Sequence, residues 1–457
     1  MCHPSQAIIS RDLEDRNTWW RSRIIPPRRL GVNQMFTRGI GAVLIEGRGR
    51  PGANGSLRYG LWMCLTLLGG VSILTCGCRL ATASEECLGS LSGTVRGKLR
   101  CLDKFMWKCY NYRSHLGVKT RVNLANLDTS FRPEVGHAVA AVRQATDLCR
   151  RVQAGMVSAV AMEKVDRSPV TVADYGAQAI MCHSLASTCP HLSVVAEETA
   201  EALRQPAQQK MLAQVTRFVG MLSPGVTSED VCAWIDQGNS GPTSRFWTMD
   251  PIDGTAGFLR GEQYAIALSL IEGGQVEIGV LACPNLPVDL AQPGGPRGVI
   301  FLAERGKGAI MLSGDGKSAE TVAVSSRGKT ASARIVESVE SNHADHQAHR
   351  QLADSLGITR PSLRMDSQAK YGVVARGDAA IYLRLPSPDT PDYRECIWDH
   401  AAGCLLVEEA GGRVTDARGA SLDFGRGRRL SGNWGVVVSN GRLHSALLGA
   451  VQSLGGS

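Results

Sequence analysis

The sequence predicts a layered α/β or α+β sandwich, and three observations lead to this prediction. Apolar residues recur at helical spacing after Phe131, a block of strand-like segments begins at Ser244, and strands and helices alternate again from Arg334. The chain has 457 residues, of which 43% are hydrophobic. This length is too great for one ordinary domain and sufficient for two layered ones.

The first predicted elements are two helices and a strand. Pro133 suits the first position of a helix, and the apolar residues that follow share one helical face: Val135, Ala138, Val139, Val142, Ala145, Leu148, Cys149 and Val152. SPVTVADYGAQAIMCHSLAS predicts a short extended piece and a second helix, and LSVVAEET predicts a buried strand that ends in acidic residues. We expect a polar stretch over 199–217 and a linker over 223–241.

The strand block follows, and glycine turns separate its members RFWTMD, AIALSLI, QVEIGVLAC, GVIFLAE and GAIML. A second region then reads as a strand (ARIVESVE), a helix over 347–356 and a strand (AAIYLRL). DHAAGCLLVEEAGG predicts a helix that Asp399 caps and that two glycines end. GVVVSN is the last predicted strand, and 442–454 the last helix. We therefore expect domains over 129–325 and 326–457.

Residues 1–128 do not fit this pattern and are expected to be a mostly disordered leader. The net charge is +8, and the first 130 residues are rich in arginine and poor in acids. No interleaved aromatic residues accompany the charge, so a transit region for the chloroplast or mitochondrion is favoured over nucleic-acid binding. The uncharged stretch 59–78 is long enough to cross a bilayer, but its glycines weaken that interpretation. Anchoring through it and a cytoplasmic location stay open, although we expect no stable membrane span.

The 14 cysteines are scattered without paired C-x-x-C sets, which argues against a zinc site. Cys149, Cys283 and Cys404 lie on apolar faces and are expected in the core. A redox role for Cys182 and Cys189 stays open.

Five acidic residues stand at predicted strand ends or helix starts, and none has a lysine or arginine beside it: Asp174, Glu197, Asp250, Asp253 and Asp399. Gathered carboxylates repel one another, and burying them without partners costs on the order of several kcal/mol. Mg²⁺ relieves this cost because it takes oxygen ligands, and it leaves positions for a phosphate-bearing substrate.

The motif DPIDGT makes this prediction specific. Its proline bends the chain so that Asp250 and Asp253 can face one point, with the carbonyl of Ile252 turned inward. Gly254 and Thr255 then leave backbone N–H groups free at a helix start, which suits a phosphate.

DPIDGTAGFLRG and WDHAAG together resemble the metal motifs of the inositol monophosphatase superfamily, whose members are Mg²⁺-dependent, lithium-sensitive phosphatases. SPVTVADYGAQA, VVAEET, GFLRGEQYAIALSLI, SQAKYGVVARGDAAIYLRL and IWDHAAGCLLVEEAGG are similar to its 3′(2′),5′-bisphosphate nucleotidase branch. The resemblance extends from about Phe131 to the C-terminus. It implies a five-layer αβαβα sandwich and a site for up to three Mg²⁺ ions.

By motif position, the resemblance also implies roles for individual residues. Glu197, Asp250 and the Ile252 carbonyl would hold one ion, Asp250, Asp253 and Asp399 a second, and a third would lie near Glu197. Asp174 and Thr255 match the pair that orients and deprotonates the attacking water. The implied substrate-binding residues are Asp253, Gly254, Thr255, His343, Ser367, Lys370, Arg384 and Asp399.

The implied reaction is hydrolysis of the 3′-phosphate of adenosine 3′,5′-bisphosphate to AMP, and also of 3′-phosphoadenylyl sulfate to adenylyl sulfate, which are reactions of sulfur metabolism. An inositol phosphate 1-phosphatase and a catalytically weak nucleotide-binding protein stay open as alternatives. Two departures bear on this choice: Ala256 stands where the family usually has lysine, and the segment after Arg384 looks long. We expect a monomer or homodimer.

Overall fold

The computed structural model describes residues 121–122, 130–156, 171–339, 346–386, 390 and 392–454, together with four strands nearer the N-terminus. The chain divides into two compact units, Met1–Cys109 and Tyr110–Ser457.

The first unit contains a four-stranded antiparallel sheet in chain order, formed by β1 (Ser22–Ile24), β2 (Ile40–Arg48), β3 (Tyr59–Leu67) and β4 (Cys78–Arg79). These strands occupy a small part of the predicted leader 1–128, whose targeting role stays a prediction. Among the residues that the structure describes, no helix is long and apolar enough to cross a membrane.

The first two helices described in the second unit agree with the prediction: α1 (Pro133–Met156) and α2 (Val172–Thr188). Two further helices follow, α3 (Gln209–Gly220) and α4 (Ser228–Asp236). The expected linker over 223–241 was therefore wrong, since it contains α4. This helix begins with a capping box in which Thr227 and Asp230 bond each other's backbone N–H groups.

The larger sheet has seven strands in the order β11-β10-β9-β8-β7-β6-β5. Its strands are β5 (Ser193–Ala196), β6 (Arg245–Asp253), β7 (Ala265–Glu272), β8 (Gln275–Pro287), β9 (Arg297–Glu304), β10 (Gly308–Ser313) and β11 (Ala319–Thr321). The pair β5–β6 is parallel and the other pairs are antiparallel. A short helix, α5 (Thr255–Leu259), follows β6. Val122, inside the predicted leader, donates its N–H to the carbonyl of Ala319 in β11.

The second sheet has five strands in the order β13-β12-β14-β16-β15. They are β12 (Ile335–Glu337), β13 (Leu363–Arg364), β14 (Ile381–Arg384), β15 (Arg413–Thr415) and β16 (Val436–Ser439). The predicted boundary between residues 325 and 326 falls between the last strand of the first sheet and the first strand of the second.

The remaining helices are α6 (His346–Ser355), α7 (Ala369–Ala375), α8 (Ala401–Glu409) and α9 (His444–Leu454). Three buried clusters show how the layers stack. The first joins α1 and α2 to one face of the large sheet, and the second joins its other face to α7, α8 and the small sheet. The third joins the far face of the small sheet to α6 and α9. The αβαβα order is thereby confirmed.

The core cysteines are buried as expected: Cys149, Cys283 and Cys404. Cys182 and Cys189 are buried too, and burial raises the pKa of both thiols, for Cys182 to about 12. Burial therefore disfavours the thiolate that a redox role would require.

The middle helical layer tolerates no added volume at Gly403 of α8. A Cβ there would lie 2.3 Å from Cγ of the fully buried Tyr371, whose hydroxyl hydrogen-bonds Nδ1 of His400. We predict that Gly403→Ala lowers the free energy of unfolding by about 1–3 kcal/mol, because the ring has no room to retreat. Urea titration measures this. The matched control is Gly449→Ala in α9, where a Cβ meets nothing within 4 Å. It should be neutral or stabilising by up to about 1 kcal/mol. Equal effects of the two changes would contradict the packing argument.

The buried His444 gives the fold a dependence on pH. Its Nε2 hydrogen-bonds Thr415 Oγ1 at 2.9 Å and its Nδ1 bonds Ser439 Oγ at 2.9 Å. Burial, and then the charge of Arg413, lower the pKa of His444 from 6.5 to about 4. The stability from the neutral ring is therefore present above pH 6.5 and is lost as the pH falls towards 4.

We predict that the wild type loses about 3 kcal/mol more unfolding free energy between pH 7 and pH 4 than His444→Gln does. Denaturant titrations at a series of pH values measure the two slopes. His191→Gln is the control, because His191 is exposed. This variant should show the same dependence of unfolding free energy on pH as the wild type. A wild-type slope in His444→Gln would show that this histidine does not titrate as described.

Candidate metal and substrate site

A cleft of about 440 Å³ lies at the C-terminal end of β6, beside the N-terminal ends of α5 and α7. It collects almost every site residue that the sequence predicted. Its lining comprises Glu197, Glu198, Asp250, Ile252, Asp253, Gly254, Thr255, Ala256, Ser338, Asp366, Ser367, Gln368, Lys370, Tyr382, Arg384, Tyr393, Glu395, Asp399 and His400.

The end of β6 brings Asp250 and Asp253 to the same cleft through a bulge. Side chains alternate along a strand, so residues three apart would normally face opposite sides of the sheet. Against β7, however, Asp250 pairs with Ala267 and Asp253 with Ala265, which leaves one extra residue in β6. The extra residue reverses the alternation. Both carboxylates then line the cleft, an arrangement that the sequence analysis attributed to the proline alone.

Two unusual backbone conformations meet next to this bulge. Gly254 has φ of +83°, and Ser367 is the non-glycine residue with positive φ, +68°, in the described part of the chain. A Cβ on Gly254 would lie 2.9 Å from the Cβ of Ser367. Glycine at 254 therefore allows the loop before α7 to close against the loop after β6.

Asp174 and Thr255, the predicted catalytic pair, are in contact. Thr255 Oγ1 lies 3.3 Å from Asp174 Oδ1 and 3.2 Å from the carbonyl oxygen of Ile252. The other oxygen of Asp174, Oδ2, accepts from the N–H and the hydroxyl of Thr171 at 2.8 and 2.6 Å. The capping box of α2 thus fixes the carboxylate and leaves Oδ1 directed at Thr255. The catalytic roles of the two residues stay predictions.

A buried glutamine, Gln178, holds the acidic turn after β5. Its Nε2 donates to the carbonyl oxygens of Glu198 (2.6 Å) and Ile235 (3.0 Å), and its Oε1 accepts from the N–H of Glu198 at 2.9 Å. Gln178 lies one helical turn after Asp174 on α2. One helix therefore positions both Asp174 and the turn that carries Glu197.

A second glutamine, Gln368, joins two of the acidic residues. Its backbone N–H donates to Asp253 Oδ2 at 2.6 Å. Its side chain donates to the carbonyl of Trp398 at 3.0 Å and accepts from the N–H of Gly403 at 3.3 Å. The start of α7 thereby fixes the segment that carries Asp399 relative to Asp253.

Asp399 is not the cap of α8, so that prediction was wrong. The helix begins at Ala401 with His400 at the capping position and no side-chain hydrogen bond to the helix N–H groups. Asp399 instead ends a 3₁₀ turn, Ile397–Asp399. Its carboxylate is therefore available to the cleft.

The cations predicted to meet the substrate, Lys370 and Arg384, lie on the opposite wall. Burial lowers the pKa of Lys370 to about 8, against the attraction of Asp253. Arg384 Nε donates to Glu395 Oε1 at 2.9 Å, and Glu395 Oε2 lies 3.4 Å from His400 Nε2. Arg384 is thus held in a network, whereas Lys370 donates to the carbonyl of Met365 at 3.5 Å.

Burial and mutual repulsion raise the pKa values of the acidic residues in the cleft and so disfavour their charged forms. Burial raises the pKa of Asp250 well above its usual range, and repulsion from Glu197, Asp253 and Asp399 adds to this. Burial raises the pKa of Asp399 to about 7 despite the neighbouring His400. Enclosure by protein, followed by repulsion from Glu198, raises the pKa of Glu197, although its side chain keeps access to solvent.

A hard divalent cation fits this donor set. The groups are oxygen donors, namely the carboxylates together with the nearby Ile252 carbonyl, and Mg²⁺ takes oxygen ligands. The charge of the ion would favour the ionised carboxylates, because the pKa values of Asp253 and Asp399 stay raised by burial even though Lys370 and Arg384 act against this. Glu395, Asp399 and His400 also bring one ligand atom each within 4.8 Å of one another, but Arg384 already engages Glu395.

His343 is a predicted site residue that lies outside the described residues, so its place is open. Ala256, the departure from the family pattern, lines the cleft. Sequence reasoning missed the functional neighbours Gln178, Gln368 and Glu395. Their signal was faint: each lies within or beside a recognised motif, but an amide or a paired acid carries no spacing rule of its own.

With the geometry established, comparison with known proteins assigns the chain. Residues 132–455 match the profile of the inositol monophosphatase family, so the protein belongs to that family, as the motifs suggested. It is similar to the 3′(2′),5′-bisphosphate nucleotidase of Oryza sativa, at 43% identity over 340 residues, which cover 70% of this chain and 94% of that protein.

Two further relatives carry the same name. The Schizosaccharomyces pombe protein is 42% identical over 330 residues, with 68% of this chain and 92% of that protein covered. The Dictyostelium discoideum protein is 37% identical over 323 residues, with 69% and 95% covered.

Gln178 supplies a test of how the site is built. Gln178→Ala removes the hydrogen bonds that the amide makes to the N–H of Glu198 and to the carbonyl oxygens of Glu198 and Ile235. We predict a loss of unfolding free energy of about 2–4 kcal/mol, since each orphaned buried group costs about 1–3 kcal/mol. Denaturant titration measures it, with the exposed α1 residue in Gln144→Ala as control, for which the change should be small. Equal stability of the two variants would show that Gln178 does not hold the turn.

Proposed function

We propose that this protein is a Mg²⁺-dependent phosphatase that hydrolyses the 3′-phosphate of adenosine 3′,5′-bisphosphate to give AMP and phosphate. Hydrolysis of 3′-phosphoadenylyl sulfate to adenylyl sulfate belongs to the same proposal. The names of the relatives support this substrate. The observation that carries the proposal is the convergence of the carboxylates on one cleft, beside a contacting Asp174–Thr255 pair.

The proposed metal ligands are the carboxylates of Glu197, Asp250, Asp253 and Asp399 and the carbonyl of Ile252, for up to three ions. When bound, Mg²⁺ supplies Lewis acidity and positive charge at the phosphoryl group. The chain contributes the geometry. The β6 bulge, Gln178 and Gln368 hold the donors in place before any ion arrives, so little reorganisation accompanies binding.

Proton transfer follows from the contacts of Thr255. Its hydroxyl has one hydrogen, which it can donate to Asp174 Oδ1, leaving oxygen lone pairs for a water molecule. As the water oxygen bonds to phosphorus, the bond between phosphorus and the 3′-oxygen of the nucleotide breaks. The water proton passes to Thr255 Oγ1 while the threonine proton passes to Asp174 Oδ1, and the departing 3′-oxygen takes up a proton from solvent water to become the 3′-hydroxyl of AMP. Asp174 can serve as this base because Thr171 bonds Oδ2 and thereby holds Oδ1 towards Thr255.

The remaining phosphate of the nucleotide would bind the opposite wall. Lys370 presents a buried ammonium there, and Arg384 presents a guanidinium whose orientation Glu395 fixes. Ser367, Gly254 and His343 complete the proposed substrate set. A substrate with one phosphate would leave Lys370 and Arg384 with no phosphate to bind, which favours a bisphosphate over an inositol monophosphate.

Phosphate release by the purified protein tests the proposal, with adenosine 3′,5′-bisphosphate, inositol 1-phosphate and inositol 1,4-bisphosphate assayed side by side. We expect the nucleotide to have the highest kcat/KM and EDTA to abolish its hydrolysis. Asp174→Asn and Thr255→Ala should each lower kcat about 10²–10⁴-fold, the usual contribution of general acid–base catalysis.

Asp354→Asn on the exposed side of α6 is the control and should leave turnover unchanged. Faster hydrolysis of either inositol phosphate would show that an inositol phosphate, and not the nucleotide, is the preferred substrate. Binding of the nucleotide without turnover would indicate a non-catalytic binding protein instead.

A further inference from the structure

A basic loop is fastened to the segment that leads into Asp399. The carbonyl oxygen of Arg428 accepts from the N–H of Ile397 at 3.1 Å, and Arg429 pairs with Cys396 in an antiparallel bridge. We call Arg428 and Arg429 the arginine rim. Because the rim is part of this short ladder, its position relative to the cleft is set by the backbone and does not depend on side-chain contacts alone.

The two guanidinium groups lie over aromatic rings, one of which lines the cleft. The Cζ of Arg429 is 5.5 Å from the ring centroid of Tyr393, which lines the cleft. The Cζ of Arg428 is 4.7 Å from the ring centroid of Trp398, the residue before Asp399. Stacking of this kind orients a guanidinium with its N–H donors at the edges of the plane. One of these donors, Nη1 of Arg429, bonds the carbonyl oxygen of Arg394 at 2.6 Å.

Arg428 also reaches the opposite side of the cleft, where it donates to the carbonyl oxygen of Ala196, the residue before Glu197. The rim therefore lies between the segments that carry two of the proposed metal ligands. Arg429 is exposed and Arg428 partly exposed, in contrast to the buried Lys370.

The rim differs from its neighbours in lacking a carboxylate salt bridge within the described residues, although the more distant Asp399 helps to raise the pKa of Arg429. Arg384 is paired with Glu395, and Arg426, in the same loop, is paired with Asp423 at 2.6 Å. Within the described ranges, no carboxylate oxygen lies within 4.0 Å of a guanidinium nitrogen of either rim residue. Burial lowers the pKa of Arg428, and the adjacent charge of Arg429 lowers it further. Two neighbouring cations without a carboxylate salt bridge are an arrangement that a bound anion stabilises.

One short segment, residues 393–395, contacts both the inner cation Arg384 and the rim residue Arg429. The side chain of Glu395 pairs with Arg384, and Tyr393, two residues earlier, lies beneath Arg429. A nucleotide whose retained phosphate meets Lys370 and Arg384 would direct any further group on that phosphate towards the mouth.

We propose that the arginine rim binds a second anionic group linked to the 5′-phosphate, so that it selects 3′-phosphonucleotides with a 5′-phosphosulfate or 5′-diphosphate. This inference rests on the proposed function, because it presumes that Lys370 and Arg384 hold the 5′-phosphate. In this proposal the rim residues contact the distal anionic group and not the reacting phosphate. They determine specificity and are not catalytic.

Nucleotides that lack a 3′-phosphate test the rim without turnover. Calorimetry in Mg²⁺ buffer compares the binding of AMP and ADP to the wild type and to the double variant Arg428→Gln/Arg429→Gln. We expect the double variant to bind ADP about tenfold more weakly and AMP within twofold of the wild type. The charge-retaining variant Arg428→Lys/Arg429→Lys should recover most of the ADP affinity.

Arg426→Gln is the matched control, because Arg426 lies in the same loop but is already paired with Asp423. It should change neither affinity. Equal weakening of AMP and ADP would overturn the proposal and indicate a general field or a structural role. Unchanged ADP affinity in the double variant would overturn it as well, and melting temperatures confirm that each variant is folded.

Turnover supplies the second readout. For the double variant, KM for 3′-phosphoadenylyl sulfate should rise about tenfold with kcat unchanged, while KM for adenosine 3′,5′-bisphosphate changes less than twofold. A wild type that releases phosphate from neither nucleotide would refute the proposed function. The calorimetric comparison of AMP and ADP would still show whether the arginine rim binds the second anionic group. Failure of the proposed function and failure of the rim proposal are therefore distinguishable.

Discussion

The structure depends on keeping several carboxylates close together in a partly dry cleft, where they repel one another. Asp250 and Asp253 end one strand, Glu197 follows a second, and Asp399 precedes a helix of the middle layer. Nearby cations could hold these groups apart from one another, but they would also neutralise the charge that a metal ion needs. Lys370 and Arg384 lie in the same cleft, but the hydrogen-bond partners that orient Asp250 and Asp253 are neutral. Amide and backbone N–H groups orient the acids, and their charge stays available.

The use of neutral hydrogen-bond partners gives the two buried glutamines, Gln178 and Gln368, a large part in positioning the acidic residues. Gln178 connects α2 to the turn after β5, and Gln368 connects Asp253 to the segment before α8. Each amide can donate and accept at once, so one side chain fixes two parts of the backbone. The same α2 carries Asp174 and Gln178, so the proposed base and the acidic turn keep a constant relation. The hydrophobic layers supply the stability against which the repulsion acts.

The helices and strands could be predicted from the sequence, whereas the bulge, the helix start and the long-range contacts that build the site could not. Helical and strand periodicities report on which face of each element is buried, and that face is a local property, so α1, α2 and the strands from β6 to β10 were predicted. The bulge in β6 depends on the register against β7, a partner that periodicity does not identify. Asp399 looked like a helix cap because caps and ligands favour the same residue types at the same place. Gln368 and Glu395 act across the fold on residues far along the chain, and no local pattern marks such a contact.

The cations of the site are sorted by depth, and this ordering has a physical cause. A lysine can be buried at a modest cost because burial lowers its pKa only to about 8, so it is still largely protonated at neutral pH. An arginine cannot shed its charge, so Arg384 at intermediate depth is matched by Glu395. An arginine without a carboxylate partner needs water or an aromatic face to stabilise its charge. Arg428 and Arg429 have both, because they lie over aromatic rings at the mouth of the cleft. The deepest positions hold acids that need a cation, and the outermost hold cations that need an anion. A metal ion and a polyanionic substrate satisfy both requirements together, so each should strengthen the binding of the other.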